Sequence, residues 1–247
     1  MYRYRNSTDN ANVALGKLVI TARTTTAATR VGCCEGGACK AGECLYSSAR
    51  LRTYGKFSVA PTTKKGEQTV RIATRVKVPV GTGLWPAIWL LPENSPTNCS
   101  GCGPYGPWGA SGAITIAQMA NTMKNVTGGI AYGGPYPKTV YNSFVKPYKP
   151  NNFHEFVLEW SRKQMTWYLD NKVIHTAKSS NNGTVPGGWY TTGPAATRDS
   201  PFDRPFYIIA NFAVGGSGTG NPSTSVLNKT LKKPKSMQVD YIRVCKK

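Results

Sequence analysis

Ala110-Ser111-Gly112-Ala113-Ile114-Thr115-Ile116-Ala117-Gln118 is the segment on which the reading of this chain turns. Its alternating, β-branched character predicts a strand. Residues two apart on a strand share a face, so Ala113 and Thr115 point the same way. A bulge, which adds one residue to one strand of a pair, can re-aim a later side chain onto that face. Apolar alternating strands occur in any β-sandwich, so the segment gains meaning only from what surrounds it.

Working outward, the rest of the chain repeats the same pattern. Short runs rich in Val, Ile, Thr, Tyr, Phe and Trp are separated by turns drawn from 26 Gly and 17 Pro, which predicts an all-β protein. At 247 residues the whole chain, 1–247, reads as one domain of sandwich or barrel size. By pleat alternation Phe156, Leu158 and Trp160 share one face, and Glu155, Val157 and Glu159 the other. No run has the roughly 20 apolar residues that a membrane-spanning helix needs.

Several blocks occur in a definite order. Lys17 to Arg23 and Tyr46 to Phe57 come first, followed by Gly83-Leu84-Trp85-Pro86-Ala87-Ile88-Trp89-Leu90-Leu91-Pro92. After the opening segment come Tyr132-Gly133-Gly134-Pro135-Tyr136-Pro137, Phe153 to Trp160, Met165 to Lys172, Pro205 to Gly216 and Val239 to Val244. In this order they resemble the family 16 glycoside hydrolases over almost the whole chain, and within them the laminarinase-like endo-β-1,3-glucanases. The resemblance implies a jelly-roll β-sandwich of two antiparallel sheets, concanavalin A-like, with a sugar cleft across its concave sheet.

In that family the opening strand reads Ser-Gly-Glu-Ile-Asp-Ile-x-Glu: nucleophile, supporting Asp and general acid/base. Here those positions are Ala113, Thr115 and Gln118, and Ala131 stands where the branch usually has a His. Retaining glycosidases need two carboxyl groups about 5 Å apart. Alanine can neither attack nor protonate, a threonine hydroxyl cannot hold a charge near neutrality, and glutamine cannot deliver a proton. The expectation is a catalytically inactive, polysaccharide-binding relative with no catalytic residue. Two alternatives stand beside it: a structural subunit of an extracellular filament or coat, and an active glucanase or transglycosylase using displaced acids. Glu155 and Glu159 lie nearest in sequence, but the resemblance gives their strand a structural role.

The resemblance also places Trp108 beside the cleavage point, and Arg50, Trp85 and Tyr132 on or beside the cleft, as ligand-binding residues. Trp89 is read as structural. No cofactor is expected except a structural calcium, for which the resemblance offers Asp240 on the last strand. Relatives carry a further front strand and an acidic segment upstream of the block near Tyr4, so that strand is read as missing or supplied by another chain.

Seven cysteines, Cys33, Cys34, Cys39, Cys44, Cys99, Cys102 and Cys245, sit mostly in Gly-rich loops, where short-range disulfides fit better than zinc. Sequons at Asn6, Asn98, Asn125, Asn182 and Asn228 join them in pointing to an extracellular, cell-wall or cell-surface glycoprotein. Residues 1–10 hold no apolar segment of the kind a signal peptide requires. The formal charge is +20, from 31 Lys and Arg against 11 Asp and Glu. Such a field favours an anionic partner, an acidic polysaccharide or acidic matrix proteins, and self-assembly stands beside these as an expectation. No nucleic-acid module is present.

Overall fold

The computed structural model describes residues 2–26, 44–61, 68–93, 103–181 and 184–247. Their period-two runs form strands which, in chain order, are β1 (Tyr2–Tyr4), β2 (Ala11–Ala14), β3 (Lys17–Thr24), β4 (Tyr46–Ser48), β5 (Arg50–Arg52) and β6 (Ser58–Val59). There follow β7 (Val70–Lys77), β8 (Leu84–Pro92), β9 (Ala113–Gln118), β10 (Asn125–Gly133) and β11 (Thr139–Pro147). The last are β12 (His154–Trp160), β13 (Gln164–Leu169), β14 (Lys172–Lys178), β15 (Phe206–Val214) and β16 (Lys235–Lys246). One short helix, α1 (Thr224–Thr230), is capped by the Ser223 hydroxyl, which accepts from the Val226 amide.

The strands make two sheets, as expected of a jelly-roll sandwich. One runs β1-β4-β3-β16-β7-β12-β13-β14 with β2 on β3, and the other β11-β10-β9-β8-β15-β5 with β6 on β15. Pairing is antiparallel except between β1 and β4, which run parallel. The core lies between the sheets. Phe156, Leu158 and Trp160 enter it from β12, and Ile208, Ala210 and Phe212 meet them from β15. Trp160 packs edge-on against Phe206 with ring centroids 5.5 Å apart. Trp167 of β13 crosses the core and donates its indole N–H to the backbone carbonyl of Thr115 at 2.9 Å. A buried indole N–H needs an acceptor, and this bond ties the back of β9 to the opposite sheet.

The acids of β12 point outward into a charged network. Glu159 accepts from Arg71, Lys247 and Tyr168, and Glu155 accepts from Tyr241. Burial alone would raise the Glu159 pKa, but the bonds from Lys247, Tyr168 and Arg71 outweigh it and hold the carboxyl below its ordinary range. Asp240 sits at an irregularity of β16, and its carboxylate is taken up by Arg75. Calcium demands six to eight oxygen ligands. A guanidinium occupies this carboxylate, and no group of three acidic or metal-ligating side chains forms among the described residues. The residues at Asp240 do not fit a calcium site.

Cys44 is buried and disulfide-bonded, and Cys245 is an exposed free thiol. Cys33, Cys34, Cys39, Cys99 and Cys102 lie outside the described residues. Asn6, Asn125 and Asn228 are exposed, while Asn98 and Asn182 are outside the described residues. Among the described residues, no helix is long and apolar enough to cross a membrane.

His175 of β14 lies against Phe144 and Trp167, and one ring nitrogen meets the Asn142 side chain at 2.9 Å. Burial, and then Lys146, lower its pKa. A depressed folded-state value means that the unfolded chain takes up the proton first. The stabilisation is complete above the unfolded value of about 6.5 and is lost as pH falls from there through the folded value. Replacing His175 with Gln is expected to flatten the fall in Tm between about pH 7 and 5, measured by thermal denaturation across that range.

Candidate functional site

A cavity of about 600 Å³ lies on the face of the β11-β10-β9-β8-β15-β5 sheet that is turned away from the core. β9 supplies its floor. Thr115 pairs with Trp89 on one side and Gly129 on the other, whereas Gln118 pairs with Ala87 and Thr127. Between these points β9 has one residue more than either neighbour, which is the expected bulge. Ile116 and Ala117 both turn into the core, so Ala113, Thr115 and Gln118 all reach the cavity. Gly112 leads into this strand with φ of 81°, and a Cβ there would meet the Phe202 ring at 2.7 Å, so glycine is required.

The walls are aromatic. Trp85, Ala87 and Trp89 project together from alternate positions of β8. Trp108 stands 6.4 Å from Trp89, on a tight turn where its φ is 37°. Holding a bulky residue in the left-handed region costs of order 1–3 kcal/mol, a strain found at ligand clamps. Tyr141 of β11, 62% exposed, forms the far lip, and Tyr2 and Tyr4 of β1 close another side. Trp85 rests on Gly218, whose added Cβ would lie 2.2 Å from the indole ring. Gly218→Ala is therefore expected to tilt Trp85 and weaken binding of a cleft ligand several-fold with little change in Tm. A titration calorimetry series beside a melting curve would check both.

The polar groups are few and well oriented. Trp85 donates its indole N–H to Gln118 Oε1 at 3.2 Å, and Trp89 does the same to Asn211 Oδ1 at 2.7 Å. The Arg50 guanidinium lies over the Trp89 ring, 5.3 Å from its centroid. Ala113 and Ala131 are 4% and 5% exposed. They join Leu91, Tyr207 and Ile209 in a small apolar cluster against which Trp89 and Trp108 pack. Burial is the largest influence on the Tyr207 phenol and raises its pKa, against the pull of Arg50 and Arg52.

Two expectations are corrected. Tyr132 does not line the cavity: it is 4% exposed, packs in the main core and meets Tyr190 edge-on at 5.6 Å. Its neighbour Ala131 faces the cleft, and adjacent residues on a strand face opposite ways. Trp89, read as structural, is a cavity wall, because it lies four residues from Trp85 on the same strand face. Asn211, Tyr141, Tyr2 and Tyr4 were not singled out by sequence. For Asn211 a signal existed, since it is the one amide in a nine-residue strand that is buried throughout and needs a partner there.

An all-β sandwich with an aromatic cleft across one sheet defines the class, and comparison with known proteins narrows the fold. The model of the glycosyl hydrolases family 16 matches residues 122–200. The chain is 32% identical to a glucan endo-1,3-beta-glucosidase A1 of Niallia circulans, over all of this chain and 32% of that protein. It is 31% identical to a beta-1,3-glucan-binding protein of Penaeus monodon, over 81% of this chain and 63% of that one. The crystal structure of an endo-beta-1,3-glucanase from Pyrococcus furiosus superposes with a TM-score of 0.69 at 28% identity, covering 98% of this chain and 79% of that chain. The chain has the family 16, laminarinase-like fold. It spans about a third of the length of the Niallia enzyme and under two thirds of the shrimp protein.

Proposed function

We propose that the chain is a secreted glycoprotein that binds polysaccharide, β-glucan or a related wall or matrix glycan, without cleaving it. One observation carries the reading: the bulge brings positions 113, 115 and 118 into one cleft as a family 16 site requires, and the side chains there are Ala, Thr and Gln. Among the described residues no carboxylate lines the cleft. Glu155 and Glu159 are engaged on the other sheet by Tyr241, Arg71 and Lys247, which removes support from the displaced-acid alternative. The aromatic walls remain, and apolar walls with a few placed polar groups are the ordinary make-up of a small-ligand site. Similarity to both a glucan-hydrolysing and a glucan-binding protein is consistent with this reading.

The test is a binding series with β-1,3-gluco-oligosaccharides in which reducing ends are counted in the same samples. Saturable binding with no new reducing ends is the expected result. Release of reducing ends would overturn the non-hydrolytic reading, and absence of binding to any glycan would favour a structural building block.

A further inference from the structure

The polar side chains of the cleft fall on one line across the strands. Gln118 of β9 pairs with Ala87 of β8, Ala87 with Asn211 of β15, and Asn211 with Arg50 of β5. Neighbouring strands are about 4.8 Å apart, so Asn211 and Arg50 are adjacent while Gln118 stands about 10 Å from Asn211 across the small Ala87. An indole N–H can only donate. The bonds from Trp85 and Trp89 therefore fix the orientation of both amides by one lone pair of each oxygen and leave their NH2 groups free to donate. Neither amide nitrogen has a hydrogen-bond partner among the described residues. The third member, Arg50, has donors only, and its Nε is buried without a partner. Hydroxyls of Thr115 and Ser143 also face the cavity and can serve either role, while that of Thr127 donates to the Gln118 carbonyl and is left to accept.

A run of fixed donors leaves the O–H of a neutral sugar hydroxyl unmatched, since each hydroxyl brings one donor beside its two acceptor lone pairs. It suits oxygens that only accept and that carry charge, because such bonds are shorter and stronger than neutral ones. Arg50 is the one charged side chain lining the cavity among the described residues, and the chain's +20 field raises the local concentration of anions. Resting on the glycan-binding reading, we infer that this cleft selects an acidic glycan, whose carboxylate or sulfate oxygens accept from Gln118, Asn211 and Arg50.

The experiment compares three oligosaccharides of equal length: a neutral β-1,3-glucan, an oligo-uronate and a sulfated galactan, titrated at a fixed near-physiological salt concentration. At least one acidic glycan is expected to bind ten-fold or more tightly than the neutral one, and which one identifies the anionic group. Gln118→Glu with Asn211→Asp keeps both acceptors for the tryptophans but replaces the outward donors, and should abolish that preference. Lys172→Gln with Lys233→Gln removes the same net charge from exposed positions outside the cavity, and should leave most of it. If the first pair does not fold, Arg50→Gln serves in its place and should lower acidic-glycan affinity ten-fold or more. Equal or tighter binding of the neutral glucan would overturn the inference and leave the glycan-binding reading standing. An equal loss in the lysine pair would overturn it in favour of general charge attraction. No binding to any of the three would remove both.

Discussion

Replacing Trp89 with Ala is expected to cost the cleft most of its affinity, roughly 30- to 1,000-fold, corresponding to about 2–4 kcal/mol for a well-packed aromatic anchor. Three neighbours depend on this ring. Trp108 packs against it, the Arg50 guanidinium lies over it, and its N–H orients Asn211. Removal deletes the central wall, lets the Asn211 amide turn over and frees the guanidinium to leave the row. The partly buried ring should cost the fold less than the roughly 3–5 kcal/mol of a core tryptophan such as Trp160. Calorimetric titration against the same glycans, beside a denaturation curve, separates the two effects. Unchanged affinity in a folded variant would place the ligand elsewhere on the protein.

On the non-hydrolytic reading proposed above, introducing three acids together, Ala113→Glu, Thr115→Asp and Gln118→Glu, is expected to produce slow hydrolysis of β-1,3-glucan that the parent chain lacks. A retaining site needs its two carboxyl groups about 5–5.5 Å apart, and the bulge already turns positions 113 and 118 to the same side. The Trp85 N–H that now holds Gln118 would orient a Glu in the same way. General acid–base catalysis contributes about 10²–10⁴-fold, and with Ala131 left in place the rate should stay well below that of a competent glucanase. Stability should fall as activity appears. Glu at 113 enters the cluster of Leu91, Tyr207 and Ile209, where burial raises a carboxyl pKa and an unpartnered polar group costs about 1–3 kcal/mol. Reducing-end release and Tm measured on one preparation test both halves. A folded triple variant that releases nothing would show that the strand does not present these positions as a working site does.

The sandwich was legible because alternation, a short-range rule, sets the inward face of β12, and the bulge in β9 because the spacing 113, 115, 118 that the resemblance implies requires one extra residue. Tyr132 and Trp89 were misplaced although the same rule covered them. Family position had put Tyr132 on or beside the cleft, while its place next to cleft-facing Ala131 on one strand sends it to the core. Trp85, Ala87 and Trp89 share a face by the same count. The donor row was not legible at all. Gln118, Ala87, Asn211 and Arg50 are up to 161 positions apart in the chain, and only sheet register brings them into line. The parallel strand β1, with Tyr2 and Tyr4 at the cleft, likewise depends on a long-range pairing, with Tyr46 to Ser48.

The bond from Trp167 to the Thr115 carbonyl holds the bulge through main-chain atoms, from the side opposite the ligand. The path of β9 is thus independent of which side chains it shows to the cleft. Evolution could exchange an acid for a neutral residue at 113, 115 or 118 without disturbing the scaffold, and each exchange would relieve repulsion and desolvation instead of adding to them. Drift away from catalysis on such a scaffold runs downhill in folding energy. Return would require several uphill steps, each of no use until the others are in place, so the architecture acts as a ratchet on its own chemistry.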